Sequence, residues 1–312
     1  MRKLVNKLPI PIVGLMLALG ATGNLVLSYG NVYRNIFGAL SAIILLFVLI
    51  KIILQPKDVV NSLDNPVVAS VFPTLSMGIM ILATYIKPFT PSLAVFIWFI
   101  GLILHIGLIL YFTKLHVLNF NIKKVFPSWF IVYVGIVVGS VSAPAVGMES
   151  IGRMAFWFGL VAYFVLLPIV TWRVFKVGEI AEPALPTLVV YTAPGSLCLA
   201  GYMSSFQDKN LFLVYLLLCL SQLIFLFVLI KLPSLLKLKF YPSYSGFTFP
   251  IVITGISLKL TNGFLTNIER PITFLKYLVK FEEFLSVAIV IYVLIRYMAF
   301  LFSQGESKGK TA

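Results

Sequence analysis

The chain has 312 residues, of which 60% are hydrophobic and only 11% charged, with a net charge of +14. Its mean hydropathy of +1.04 excludes a soluble globular fold, because an ordinary domain keeps about a quarter of its residues charged. The composition requires lipid as solvent, and the excess of Lys and Arg belongs to loops that flank membrane helices.

Arg2, Lys3 and Lys7 precede an apolar run from Leu8 to Ser28. That run is longer than the roughly 7–15 apolar residues of a signal peptide, so it reads as a retained first helix. About 20 apolar residues cross ~30 Å of hydrocarbon. Segments of that kind fall at 8–29, 32–54, 66–86, 92–113, 127–147, 152–172, 184–206, 210–230, 242–262 and 281–303. The expected architecture is all-α: one transmembrane domain over 1–303, followed by a polar, disordered cytoplasmic tail over 304–312. Alternating the connections between two sides puts 16 of the 24 Lys and Arg residues on the side of both termini and 8 on the other. The positive-inside rule then places both termini in the cytoplasm of a multi-pass inner (cell) membrane protein. Cys198 and Cys219 lie in apolar stretches without metal-like spacing, and both are expected to be buried, unpaired packing residues.

Prolines carry the organisation. Pro9, Pro66, Pro127, Pro186 and Pro242 open the odd helices at intervals of 57, 61, 59 and 56 residues. A second proline follows one to two turns on at Pro73, Pro194 and Pro250, with Gly135 at the matching place after Pro127; the even helices contain only Pro168. A period near 58 predicts five helical hairpins of one orientation, which can close into a ring. An interior proline frees a carbonyl that lipid cannot satisfy, so the odd helices are expected inside, lining a pore, and the even ones outside.

The odd helices read as uncharged through their spans. They offer Gly14, Gly20, Thr22, Gly23, Asn24, Thr74, Ser76, Gly78, Gly135, Ser140, Thr192, Ser196, Thr248 and Thr254, with aromatics at Phe72, Phe247 and Phe249. Such a lumen fits weak, fast passage of an ion rather than tight binding of a dianion. Lys57, Lys123, Lys124, Lys237 and Lys239 near the mouths either concentrate anions or serve topology alone. Glu282 and Glu283, at the outer start of the last helix, are either proton-coupling acids or an interfacial helix start. Arg296 is expected to snorkel, His105 to be a hydrogen-bonded packing residue of the outer ring, and His116 to lie in a loop. There is no nucleophile–base pair, metal constellation, phosphate loop or cofactor signal, and no basic run interleaved with aromatics. Neither catalysis nor a nucleic-acid partner is expected.

Four segments resemble one known family. PIVGLMLALG (Pro11–Gly20), FPT (Phe72–Thr74), FPSWF (Phe126–Phe130) and especially SGFTFPIVITG (Ser245–Gly255) are similar to the tellurite-resistance/C4-dicarboxylate transporter family. That family includes bacterial TehA-like proteins and the slow anion channels of plant guard cells. The resemblance implies ten helices in five quasi-symmetric hairpins, a pore within the ring of odd helices, and a homotrimer with one pore per subunit. It also implies an aromatic gate at Phe249 facing Gly14, with a packing aromatic as the alternative reading of Phe249 and Phe247 as the other ring within reach. The pore-lining candidates are Phe72, Thr74, Gly135, Ser196, Phe247 and Thr248, with kinks at Pro73, Pro194 and Pro250.

The expected function is passage of small anions of the chloride or nitrate type through an uncharged pore gated by a phenylalanine. The alternative is a proton-coupled secondary transporter for C4-dicarboxylates, sulfite or tellurite. A drug/metabolite exporter also has ten helices, but its five-helix repeat of alternating orientation does not match a period near 58. A scaffold subunit leaves the kinked, uncharged inner set without a purpose.

Overall fold

Among the described residues, ten helices are long and apolar enough to cross a bilayer: α1 (Ile12–Tyr29), α2 (Asn31–Leu54), α3 (Pro66–Ile86), α4 (Pro91–Val117), α5 (Trp129–Val146), α6 (Glu149–Val177), α7 (Glu182–Ser205), α8 (Leu211–Leu235), α9 (Pro242–Asn267) and α10 (Leu275–Phe302). The computed structural model describes residues 2–303, and the tail expected over 304–312 lies outside them. Among the described residues every regular element is helical.

The side chain of Lys7 donates to the carbonyl and the hydroxyl of Ser303, both at 2.9 Å. The chain therefore enters α1 and leaves α10 on one face, the terminal face, and the five hairpin turns lie on the opposite, far face. Two of those turns depend on glycine. Gly30, at φ +140°, is the only residue between α1 and α2. Gly147, at φ +74°, ends α5 in the left-handed region, and the N–H groups of Gly147 and Met148 return to the carbonyls of Pro144 and Ala143.

The odd helices close a ring: α1 packs on α3, α3 on α5, α5 on α7, α7 on α9, and α9 returns to α1. Each even helix packs on the odd helix before it and wedges against the next. In the central stretches of the odd spans 67–89% of residues are buried, against 28–39% in the even spans, and the even spans are the more apolar. Lipid selects an all-apolar outer layer, while the hidden inner layer can hold the Gly, Ser and Thr that allow close packing.

The inner helices break where the proline spacing predicts. Helix α3 breaks between Val71 and Thr74 at Pro73, and α5 breaks around Gly135. Helices α7 and α9 change from 3-10 to α geometry at Ala193 and Thr248, beside Pro194 and Pro250. Carbonyls near the breaks are taken by hydroxyls: Thr74 to Val71 at 2.8 Å, Thr192 to Val189 at 3.1 Å and Thr248 to Ser245 at 2.6 Å. The outer helices run unbroken through Pro168 in α6 and Pro233 in α8. Pro91, the first residue of α4, and Pro233 correct the expectation of a single even-helix proline, because α4 starts one residue before 92 and α8 runs one turn beyond residue 230.

Other boundaries also shift. Helix α10 starts at Leu275 rather than 281, so Glu282 and Glu283 sit two turns inside it, buried, and not at its start. Glu149 and Glu182 are the first residues of α6 and α7. His116 lies in the π-helical turn that ends α4, not in a loop, with Nε2 3.1 Å from the Leu63 carbonyl. Cys198 is buried, but Cys219 is exposed on the outer surface of α8. Arg296 does more than snorkel: it donates to the Tyr292 hydroxyl at 3.1 Å and lies over the Tyr244 ring.

Candidate functional site

At the level of the breaks, all five inner helices contribute to one cavity. Its wall comprises Gly14 of α1, Val71, Thr74 and Met77 of α3, Phe130, Ile131, Val134 and Gly135 of α5, Val190, Ala193, Pro194 and Leu197 of α7, and Ser245, Gly246, Phe249 and Pro250 of α9. Its volume is about 20 Å³, room for about a single water. No charged side chain among the described residues lines it. The Thr74 hydroxyl is turned back on its own helix. Ser245 carries a buried hydroxyl without a hydrogen-bond partner among the described residues.

The expected site residues divide clearly. Gly14, Thr74, Gly135, Pro194, Phe249 and Pro250 share the cavity. A Cβ on Gly14 would stand 3.0 Å from Ser245 Cβ, so the glycine meets the polypeptide one turn before Phe249 rather than the Phe249 ring itself. Phe247 is fully buried with its ring edge-on to Tyr244, at 4.8 Å between centroids, and lines no part of the cavity. Thr248 points at α1, with its hydroxyl 3.4 Å from the Gly14 carbonyl. Ser196 donates to the Thr254 hydroxyl at 3.2 Å, joining α7 to α9. Phe72 and Pro73 are not in the wall; the Pro73 carbonyl instead accepts from Ser76 Oγ and the Met77 N–H. Lys57, Lys123, Lys124, Lys237 and Lys239 are exposed and line neither the cavity nor the vestibule described next.

Toward the far face lies a vestibule of about 390 Å³, lined by the same five helices and by Arg34 of α2. It shares no residue with the cavity. On each inner helix its wall begins about one to two turns beyond the cavity, at Ala21, Ile81, Val141, Ser204 and Ile256, roughly 6–10 Å along the axis. The vestibule corrects the expectation of an uncharged pore. Lys259 of α9 is in its wall, and so is Arg34. Lys259 donates to the Leu25 carbonyl at 2.8 Å, to Ser28 Oγ at 2.7 Å and to Glu283 Oε1 at 2.5 Å, while the Tyr29 hydroxyl holds Glu283 Oε2 at 2.7 Å. Arg34 donates from Nε to Asn24 Oδ1 and from Nη2 to the Thr84 carbonyl, each at 3.0 Å. Both cations fall inside the expected spans 32–54 and 242–262 but near their ends, where sequence alone counts a charge with the adjoining loop. Asn24 was the one legible signal, a polar amide inside an inner helix.

The remaining buried polar groups are outside both voids. His105 bridges Ser76 Oγ, at 2.8 Å from Nδ1, and the Val132 carbonyl, at 3.1 Å from Nε2, and so pins α4 to α3 and α5 as the packing reading expects. The Glu282 carboxyl lies beside the Gln222 amide, and neither group has a hydrogen-bond partner among the described residues.

A closed ring of five inner helices, four of them broken at one level, with an apolar waist and a cationic mouth, is the arrangement of a path for anions. No curated protein matches the chain. A family profile described as the voltage-dependent anion channel, SLAC1, matches residues 7–298, spanning all ten helices but for the end of α10. The family contains the tellurite-resistance/C4-dicarboxylate proteins and the plant slow anion channels named by the sequence resemblance, and the chain belongs to this SLAC1 family of anion channels and transporters.

Proposed function

We propose that this protein is an anion channel, or a channel-like uniporter, that passes small monovalent anions such as chloride or nitrate through the five-helix ring, with Phe249 as the gate. The observation that carries the reading is the cavity lined by all five inner helices at the level where four of them break, where Phe249 stands in a wall that leaves room for about one water. An apolar waist of that size excludes a hydrated ion, and an ion stripped of water finds no charged partner there. Removing the phenyl ring widens the waist without altering the backbone break, which Pro250 maintains. The terminal face is the cytoplasmic one on the excess of Lys and Arg, and the resemblance adds a homotrimer in a bacterial inner membrane, with one pore in each subunit.

The test is anion current in planar bilayers holding the wild type or Phe249→Ala, with chloride, nitrate and malate compared. The reading expects a nearly silent wild type and a large, proton-independent chloride and nitrate conductance in the variant. A variant that passes nothing new rejects the gate.

The second reading is a proton-coupled transporter of dicarboxylates, sulfite or tellurite. It is favoured by Glu282, a carboxyl buried at membrane depth with no hydrogen-bond partner for either oxygen among the described residues. Against it, Glu282 lines neither the cavity nor the vestibule. Uptake that follows a pH gradient and is lost in Glu282→Gln would establish this reading in place of the channel.

A further inference from the structure

Of the two cations in the vestibule, one is neutralised and the other is not. Lys259 has Glu283 at 2.5 Å. Arg34 has no carboxylate within 4.0 Å among the described residues, although it is half-buried. Its mounting is complete nonetheless. Asn24 Oδ1 holds Nε and the Thr84 carbonyl holds Nη2. The guanidinium carbon lies 4.1 Å from the centroid of the Tyr85 ring, whose hydroxyl is tied to the Gly20 carbonyl at 2.7 Å. These contacts use two of the five N–H donors of the guanidinium. The Nη1 pair has no acceptor among the described residues, and the side chain lines the vestibule.

We propose that Arg34 forms an anion-binding site in the vestibule, which takes up a halide or nitrate from the far face and holds it on the pore axis beyond the waist. Neutral groups and a π face position the charge without cancelling it, a pattern that leaves an anion as the missing partner. A dianion gains no second free cation here, since Lys259 is already paired, so the site favours small monovalent ions. The binding claim is independent of conduction; its effect on transport rests on the pore reading given above. One charge in an open vestibule binds weakly and releases quickly, as conduction needs.

The test has two parts. In the first, purified full-length protein is titrated with chloride and binding is read as chloride-35 NMR line broadening in the wild type, Arg34→Gln and Arg34→Lys. We expect Arg34→Gln to remove most of the protein-dependent broadening, and Arg34→Lys to retain part of it with an affinity about five- to tenfold weaker. In the second, chloride is varied on one side of a bilayer at a time in a Phe249→Ala background. Arg34→Gln is expected to raise the half-saturating chloride about five- to tenfold from the far face and to leave it unchanged from the terminal face.

Folded Arg34→Gln protein with wild-type broadening overturns the proposal, and so does an equal shift from both faces, which would mark Arg34 as a packing residue of α2. If neither variant folds, phenylglyoxal labelling of the wild type decides: chloride should slow modification of Arg34 several-fold and leave exposed Arg270 unaffected, and equal rates reject the site. Should Phe249→Ala conduct nothing, the pore reading fails while the broadening still decides whether Arg34 binds chloride.

Discussion

Lys259 and Glu283 meet at 2.5 Å where α9 and α10 face the C-terminal end of α1, with the lysine side chain about one third exposed to the vestibule and the glutamate nearly enclosed. Tyr29 completes the contact from the glutamate side, and the Leu25 carbonyl, near the negative end of a helix, completes it from the lysine side. The pair thus staples three helices and also sets the charge of the vestibule. Glu283→Gln keeps the shape and the Tyr29 contact but leaves Lys259 unneutralised. Its expected cost is about 1–3 kcal/mol, because a partly buried charge loses its partner. At the same time, in the Phe249→Ala background, the half-saturating chloride on the far face should fall. Thermal midpoint and one-sided chloride titration measure the two effects separately.

The two phenylalanines of Phe247-Thr248-Phe249 should respond in opposite ways. Phe249→Ala opens the waist and raises anion conductance. Phe247→Ala leaves conductance unchanged and instead destabilises the fold by about 3–5 kcal/mol, since its fully buried ring packs on Tyr244. Bilayer current and thermal unfolding of both variants distinguish a gate from a packing residue.

Enlarging Gly14 should close what Phe249→Ala opens. A Cβ there already comes to 3.0 Å from Ser245 Cβ and 3.1 Å from Ser245 Oγ. Gly14→Val adds two methyl groups to that contact and to the cavity wall. The double variant Gly14→Val/Phe249→Ala is expected to carry less than a tenth of the current of Phe249→Ala alone; equal currents would mean that the waist lies elsewhere.

Ser245 has the only hydroxyl in the cavity wall without a partner among the described residues. Removing an unsatisfied buried hydroxyl does not destabilise, so Ser245→Ala should keep the thermal midpoint or raise stability by up to about 1 kcal/mol. In the Phe249→Ala background the same change removes the one donor free to meet an anion at the waist. Conductance should drop several-fold, with a larger loss for chloride than for iodide, which is the less strongly hydrated ion. Unchanged conductance and selectivity would show that the hydroxyl is not used.

Ten spans, five hairpins and the division into inner and outer helices were legible in the residue order. Span length depends on composition alone, and proline favours the first turn of a helix, so the spacing from Pro9 to Pro242 reports the repeat directly. Phe249 came from the resemblance of one segment, and Gly135 from its place in the repeat. The direction of each side chain was not legible. Phe247 and Phe249 are two residues apart, so helical geometry points them to nearly opposite sides, but only the packing of α9 in the ring decides which of the two sides meets the cavity. Charges at helix ends are hidden from hydropathy in the same way. Lys276 and Lys280 make the first two turns of α10 read as loop, and this put Glu282 and Glu283 at a helix start when they lie within the span. Arg34 belongs to an outer helix and enters the vestibule only because Gly30 reverses the chain so tightly that the first turns of α2 lie against the end of α1. Composition and periodicity are sums along the chain, so they determine which helices exist and which layer each occupies. The sign of the charge at the mouth and the identity of the ring at the waist depend on contacts between residues far apart in sequence, and the closed ring alone decides those.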